Sequence, residues 1–538
     1  MMFVRPPLRR FGHLLMLLVG LGASLRSTAA RDSRLDHEAD AFFAGATPVF
    51  AITVERKFAH QLRSEPRKYV PATVQVGTNV YRNVGIHLKG AAGSTRDFDD
   101  RPALTLNFDK FVKGQTCSGL EKLHLNNSVQ DETFLSESVA SRLYRESGVP
   151  TARAGHAFLN LNGRDLGLYV LKEGYDTLFL RRNFPLGTNA PGNLYDGGFL
   201  QDVDQELELD AGNGPTDHSD LRRLRKAANA PESRRMAELE RVLDVDRFLS
   251  LLAIQALTDD WDGYGRNRNN YRLYFDPVTG RASFIPHGMD QLFNELGASV
   301  MPQWSGLIAS RTLDVQSAQT RYRERLVAMT TNRFTWNWLT NHLAAVDARI
   351  QPTLAQRSPE ERQQWAARLQ RVSNRFMARI RNVRRQLELP PDPSLAQMAA
   401  TARQPQPLSG WRPRPQQGTS RLESITTDNR ETLHLTAIRG GTVASFRTSR
   451  ALSAGEYSLE AVARTKGLVA GPGTPGRGAG IRISGADRQN HLTGDHDWSP
   501  LRFDFELSDD SEVEFIVEIR ADRGEVWFDL ASLRLVPR

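Results

Sequence analysis

The residues best suited to chemistry lie near the middle of the chain. Asp259-Asp260-Trp261-Asp262-Gly263-Tyr264 is followed by Asn267, Asn269 and Asn270. Carboxylates and amides are hard oxygen donors, the type that Mg²⁺ and Ca²⁺ prefer. Past Tyr271–Phe275 and Ala282–Pro286 comes Pro286-His287-Gly288-Met289-Asp290. The two short runs flank Asp276-Pro277-Val278-Thr279-Gly280, so they read as a hairpin. Folding back would carry Asp290 towards Asp262 and Asn270. Two carboxylates and an amide around one point can hold Mg²⁺ and orient a hydroxyl, as phosphoryl transfer requires. An EF-hand does not fit, because Thr258 would take its first ligand position and Asn269 the place of its bidentate Glu. A turn that only hydrogen-bonds its own backbone remains open on spacing alone.

The elements that must position these groups follow from periodicity. Val70–Val76 and Val80–Leu88 flank Gly77-Thr78-Asn79, and Ala157–Leu161 and Leu166–Leu171 flank Asn162-Gly163. Both patterns are hairpin signals. Ala103–Phe108 and Leu120–Leu125 add strands. Asp131 reads as the cap of a helix whose stripe is Phe134, Val139 and Leu143, ended by Gly148 and Pro150. Leu221–Ala228, Met236–Leu243 and Phe248–Leu257 read as helices, the last apolar on nearly every side and so buried. From about 322 to 389 the pattern is helical, its many arginines forming a solvated face.

These elements make an α+β domain over 48–390. Residues 391–418 are rich in Pro, Gln and Arg, a linker composition. Over 419–538 short alternating runs separated by turns suggest an antiparallel β-sandwich, jelly-roll-like. Its closing Val526-Trp527-Phe528-Asp529 loosely resembles the last strand of carbohydrate-binding modules. Polysaccharide is therefore a candidate partner.

Composition narrows the function classes. The chain has 538 residues, 40% hydrophobic and 25% charged, as expected of folded domains. Its net charge of +8 includes Arg5, Arg9, Arg10 and Arg26, without which the excess is +4. No stripe of basic and aromatic residues suggests nucleic-acid binding. The basic start, the apolar run Leu14–Leu21 and Thr28-Ala29-Ala30 have the layout of a signal peptide over residues 1–30, so an exported protein is expected: periplasmic, cell-surface or secreted. No later stretch is apolar and long enough to span a bilayer. Cys117 is the single cysteine and reads as a small buried hydrophobe.

Asp262-Gly263-Tyr264 with Asn269-Asn270-Tyr271, and Pro286-His287-Gly288-Met289-Asp290, resemble the signature of the spore-coat CotH kinase family. Upstream, Gly85-Ile86-His87-Leu88-Lys89-Gly90 with Ser94 and Arg96 resembles its Lys-Gly-x-x-x-Ser segment. Leu123–Asn127 with Asp131, and Leu161-Asn162-Gly163 through Gly167-Leu168-Tyr169 to Glu173, resemble further blocks, all in family order. The resemblance implies an atypical, bilobal protein-kinase-like fold that binds ATP and Mg²⁺ and phosphorylates Ser or Thr of a protein. It implies Asp262 as the catalytic carboxylate, Asn270 and Asp290 as metal ligands, and Lys89 and Ser94 as phosphate contacts. Glu173 would position Lys89 by ion pairing, and His287 is expected to be structural.

Three residues depart from the pattern. Gly288 stands where many members carry an acid, Gln255 where relatives often have Glu, and Arg101 where a Lys is frequent. Within residues 48–390 there is neither a G-x-G-x-x-G loop nor Asp-Phe-Gly. Export and ATP dependence sit awkwardly together. The alternative is a non-catalytic surface or matrix protein that binds polysaccharide or a partner through its C-terminal sandwich.

Overall fold

The computed structural model describes residues 33–538 apart from 92, 185–191, 213, 402–404, 453–454, 471–476 and 509–510. The leader expected over residues 1–30 lies outside them. Seven strands close into a barrel: β1 (Val49–Thr53), β2 (Val70–Val76), β3 (Asn79–Lys89), β4 (Ala103–Asn107), β5 (Lys122–Asn126), β6 (Ala154–Leu161) and β7 (Arg164–Glu173). Their order is β1-β2-β3-β4-β5-β7-β6, and β1 closes the ring by pairing parallel to β6. Alternation sends Ile52, Val74, Ile86, Leu104, Leu125 and Leu171 into the barrel core. Asn162 and Gly163 both take positive φ (51° and 80°), which matches the right-handed strand twist. The Asn162 amide also exchanges hydrogen bonds with the Val54 backbone (2.7 and 3.0 Å), tying this hairpin to the end of β1.

Between β5 and β6 runs α1 (Ser136–Glu146). Asp131 tightens its entry by accepting from the N–H groups of Thr133 and Ser136 (2.9 and 3.0 Å). A second sheet of β8 (Leu194–Asp196), β9 (Glu208–Ala211), β10 (Tyr271–Phe275) and β11 (Ala282–Pro286) has the order β11-β10-β8-β9. It packs with α2 (Val245–Thr258), in which twelve of fourteen residues are buried, as its apolar circumference requires. Asp259, in the left-handed region at φ 49°, ends α2 and opens the Asp/Asn-rich turn.

The long α3 (Pro359–Gln386) starts with a Ser358–Glu361 capping box. From it Arg379 reaches the end of α2 and donates to the carbonyls of Ala256 and Leu257 (2.6 and 3.0 Å) and of Leu296 and Ala298 (3.0 and 2.5 Å). A cation on the carbonyl end of a helix satisfies groups the helix leaves open and complements its dipole.

Residues 391–418 are not a plain linker. They hold α4 (Pro393–Thr401), whose Leu395 joins the core of the middle region, and the first strands of the C-terminal unit. That unit comprises β12 (Gln406–Pro407), β13 (Arg412–Thr427), β14 (Arg430–Leu452), β15 (Gly455–Val469), β16 (Gly478–Ile483), β17 (Gly494–Leu507), β18 (Ser511–Ala521), β19 (Arg523–Asp529) and β20 (Arg534–Pro537). Every pairing is antiparallel, and Leu408 and Trp411 belong to its core. β14 pairs with β19 before Gly440-Gly441 and with β18 after it, so one strand serves two stretches of sheet. The whole is a mixed α/β protein with several sheets. No helix among the described residues is long and apolar enough to cross a membrane.

Candidate active site

Strand register gathers the basic side. Across β3, β4, β5 and β7, His87 faces Thr105, Thr105 faces His124, and His124 faces Lys172. Lys89 lies two residues beyond His87 and shares its face. Lys89 Nζ donates to Asn126 Oδ1 (2.7 Å). Burial, then the charge of Lys172, pushes its pKa down to about 7, against the opposite pull of Glu137 and Asp290. Lys172 Nζ lies 2.8 and 2.7 Å from the two carboxylate oxygens of Glu137. Glu137 Oε1 also accepts from the Met289 backbone N–H (2.7 Å). One carboxylate thus links α1, the barrel and the segment bearing Asp290.

The turn after α2 gathers the acidic side. Asp262 Oδ1 accepts from the amides of Asn267 and Asn269 (2.7 and 3.1 Å), and Oδ2 from that of Asn270 (2.7 Å). Three donors fix the carboxylate and leave acceptor capacity for another group. Gln255 supports the turn, its Oε1 accepting from Gly265 N–H (3.1 Å). A Cβ on Gly263 would fall 2.2 Å from Gln255 Nε2. Asp259 is held by Arg266 (2.6 Å) and accepts from Glu295 N–H (2.7 Å).

The β10–β11 hairpin brings Pro286 opposite Tyr271, and His287 N–H donates to the Asn270 carbonyl (2.9 Å). The fold-back expected from sequence is therefore present. Gly288, at φ 57°, lies so close to Asn270 that an added Cβ would sit 2.5 Å from its Oδ1. Burial, then Glu137, pushes the Asp290 carboxyl up to about 7, with Lys172 pulling the other way. The buried Asp260 is held far above the usual carboxylate range by burial and then by Asp262 and Asp290. Asp260, Asp262 and Asp290 thus share one electrostatic neighbourhood. His124 and His287 border it, and burial beside lysines holds both imidazoles neutral at pH 7. That agrees with a structural His287.

Two residues do not take the roles the sequence suggested. Glu173 does not pair with Lys89. It binds Arg153 (2.9 Å) and Arg182 (2.8 Å) and accepts from Arg153 N–H (3.0 Å). Successive strand residues face opposite ways, so Lys172 and Glu173 diverge. Ser94 is half-buried and closes a local turn, accepting from Ala91 N–H (3.0 Å). Cys117 is buried, and burial raises its thiol to about 11, as a structural cysteine requires. Sequence reasoning passed over Glu137 and Lys172 and gave Asp260 no role of its own. Lys172 carried a signal, a charge placed directly after the run Leu168-Tyr169-Val170-Leu171 and beside Glu173. Glu137, in the first turn of α1, carried none.

The donor chemistry suits a hard divalent cation. Asp262, Asn270, Asp290 and Asp260 offer only oxygen-bearing groups, and the missing side chain at Gly288 keeps room beside Asn270. Among the described residues no three His, Cys, Asp or Glu side chains already close around one point.

The family model described as CotH kinase protein matches residues 86–386. The inner spore coat protein H of Bacillus subtilis (strain 168) is 24% identical over 329 residues, covering 57% of this chain and 87% of that protein. The Helicobacter pylori proinflammatory kinase CtkA has a TM-score of 0.21 at 10% identity, covering 55% of this chain and 96% of that one. The carbohydrate-binding protein TmCBM61, solved with β-1,4-galactotriose, has a TM-score of 0.17 at 11% identity, covering 24% and 88%. With more than half of its length matched by the family model, this chain belongs to the CotH kinase protein family.

Proposed function

We propose that the chain is an exported, atypical protein kinase that moves the γ-phosphoryl group of Mg-ATP to a Ser or Thr hydroxyl. The observation that carries this reading is the meeting of Asp262, Asn270 and Asp290 with a basic strand face bearing Lys89 and Lys172. Asn270 and Asp290 would hold Mg²⁺, with the carboxyl of Asp260 buried beside them as a further oxygen group. An ion held there would neutralise phosphate charge. Lys89, held by Asn126, would face the phosphates, and its low proton affinity rises once an anion lies beside it. Asp262 is oriented by three amides and would accept the acceptor hydroxyl's proton as its oxygen bonds to the γ-phosphorus. The bond to the β–γ bridging oxygen breaks, ADP leaves with that electron pair, and Asp262 returns the proton to water. Glu137 would position Lys172 and, through Met289 N–H, the Asp290 segment. The exported state rests on the N-terminal leader and is in keeping with a spore-coat relative.

A non-catalytic surface protein, binding polysaccharide or a partner through its C-terminal β unit, is the second reading. What favours it is that Asp262 is already hydrogen-bonded within its own turn. Label transfer from γ-labelled ATP to the protein itself or a generic acceptor separates the two. The kinase reading expects Mg²⁺-dependent transfer that Asp262→Asn abolishes. Equal transfer by both forms, or none by either, removes it. Transfer from α-labelled ATP instead would reassign the site to AMP transfer.

A further inference from the structure

The C-terminal β unit meets α3 along a groove that shares none of the cleft residues Lys89, Asp262, Asn270 and Asp290. Two cavities, of about 540 and 350 Å³, run together there and share Glu132, Ala367, Gly410, Arg412 and Pro413. The larger is walled by Arg101 before β4, Asn127 and Ser128 after β5, Arg368 of α3, and Arg412 of β13.

Its charges do not balance. Arg371 is bound to Glu132, and Arg447 to Glu514 (2.7 Å). Arg101 gives one nitrogen to the Leu168 carbonyl, while its Nε is buried without an acceptor. Arg368 lies over the Phe134 ring, 4.4 Å from its centroid. Among the described residues neither Arg368 nor Arg412 has a carboxylate within ion-pair distance. Burial, then Arg101 and Arg412, lowers Arg368 to about 10, and burial with Arg371 lowers Arg412. Three guanidinium groups thus share one recess with two acids, Glu132, which is bound to Arg371, and the exposed Glu360, which accepts from Gln364 (3.1 Å). Such an arrangement is costly alone and becomes favourable when an anion enters.

The wall also selects the anion. Guanidinium forks match the oxygens of phosphate, whereas Asn127 and Ser128 spend their donors on the carbonyls of Ser94, Arg101 and Asp131, so the anion contacts fall to the arginines. The aromatic residues, Trp411 and Phe134, are only 3% and 5% exposed. They offer no free ring on which a sugar or base would stack. The cavity has the size of a small-ligand site, enough for a phosphate and the first atoms of its carrier. We propose that this groove at the domain junction binds phosphate monoesters, with Arg101, Arg368 and Arg412 as the anion contacts. The site stands whether or not the cleft transfers phosphate.

The test is calorimetric titration of the full chain with inorganic phosphate, a phosphoserine peptide, its unphosphorylated twin and a hexose phosphate. The phosphate-bearing probes bind and the twin does not. Arg368→Gln with Arg412→Gln weakens binding by about tenfold or more, because each charge-assisted bond is worth at least ~1.5 kcal/mol. Asp290→Asn, in the cleft, leaves binding unchanged. A peptide tighter than the hexose phosphate by about threefold or more assigns the carrier as a phosphoprotein; the reverse assigns a small phosphorylated molecule. Should the double variant not fold, Arg412→Gln alone reads the same loss at a half-buried position. No binding of any phosphate, or equal binding by wild type and the arginine variants, overturns the proposal.

Discussion

Lys172 and Glu137 meet at 2.7 Å with side chains 1% and 2% exposed, joining a barrel strand to the first turn of α1. Few surface pairs stabilise a protein measurably, but a pair taken out of water differs. Each charge depends on the other, and Glu137 also holds the backbone one residue before Asp290. The pair therefore ties three separate stretches of chain around the candidate site.

Losing either partner leaves a buried charge uncompensated. Lys172→Met or Glu137→Gln is expected to cost about 3–5 kcal/mol in urea unfolding. Lys172→Met with Glu137→Leu should recover much of that loss and still fail in phosphoryl transfer. Single variants costing under about 1 kcal/mol would contradict the pairing; an active double variant would confine it to stability.

Asp262→Asn keeps the shape but turns one acceptor oxygen into a donor facing the amides of Asn267, Asn269 or Asn270. The fold should lose about 1–2 kcal/mol, the cost of an unmatched polar contact. Transfer should fall by about 10²-fold or more, the usual contribution of a general base. Rates that track stability and nothing else would remove Asp262 from the chemistry.

Asp290, pushed up to about 7, binds its proton more tightly in the folded chain than in the unfolded one. Its stabilising effect is complete below pH 4 and is lost as pH rises through 7. Metal binding has the opposite preference, because the carboxylate must be ionised. Mg²⁺ affinity should therefore climb by up to tenfold per pH unit from pH 5 and level off above 7. Asp290→Asn should weaken that rise and make the metal-free stability profile between pH 4 and 7 less steep, the remainder coming from Asp260 and Asp176, whose carboxyls burial also holds up. Denaturation and Mg²⁺ titrations at several pH values check both signs.

Gly288 answers for one departure from the family pattern. Its φ of 57° disfavours any side chain, and a Cβ would press on Asn270 Oδ1 at 2.5 Å. Replacing it by Ala or by the acid common in relatives should cost about 1–3 kcal/mol. Mg²⁺ affinity should fall in both variants, because Asn270 is displaced from the donor set. Tighter Mg²⁺ binding by Gly288→Asp would show that this backbone adapts to the acid.

The hairpins were legible because turn residues and alternation are local. The same locality made Asp262, Asn270 and Asp290 readable as neighbours, since one turn and one hairpin join them. Glu173 was misread because its partner depends on a facing that only the β5–β7 register fixes. A shift of one residue exchanges it with Lys172. Glu137 was missed because the sequence of α1 does not say which turn meets the barrel. The start of the C-terminal unit was hidden by Pro413 and Pro415, which suggest a linker. β13 accommodates them by pairing with β14 alone, with shifts in register beginning at Pro415.

Arg379 sets an order of assembly. It lies more than 120 residues after the α2 carbonyls it holds. A nascent chain can lay down every donor of the acidic turn and still lack the clasp that closes the helix behind it. Until α3 has been synthesised and docked, those carboxylates sit on an open-ended helix. The support behind the turn is thus completed late, by a part of the polypeptide that supplies none of its carboxylates.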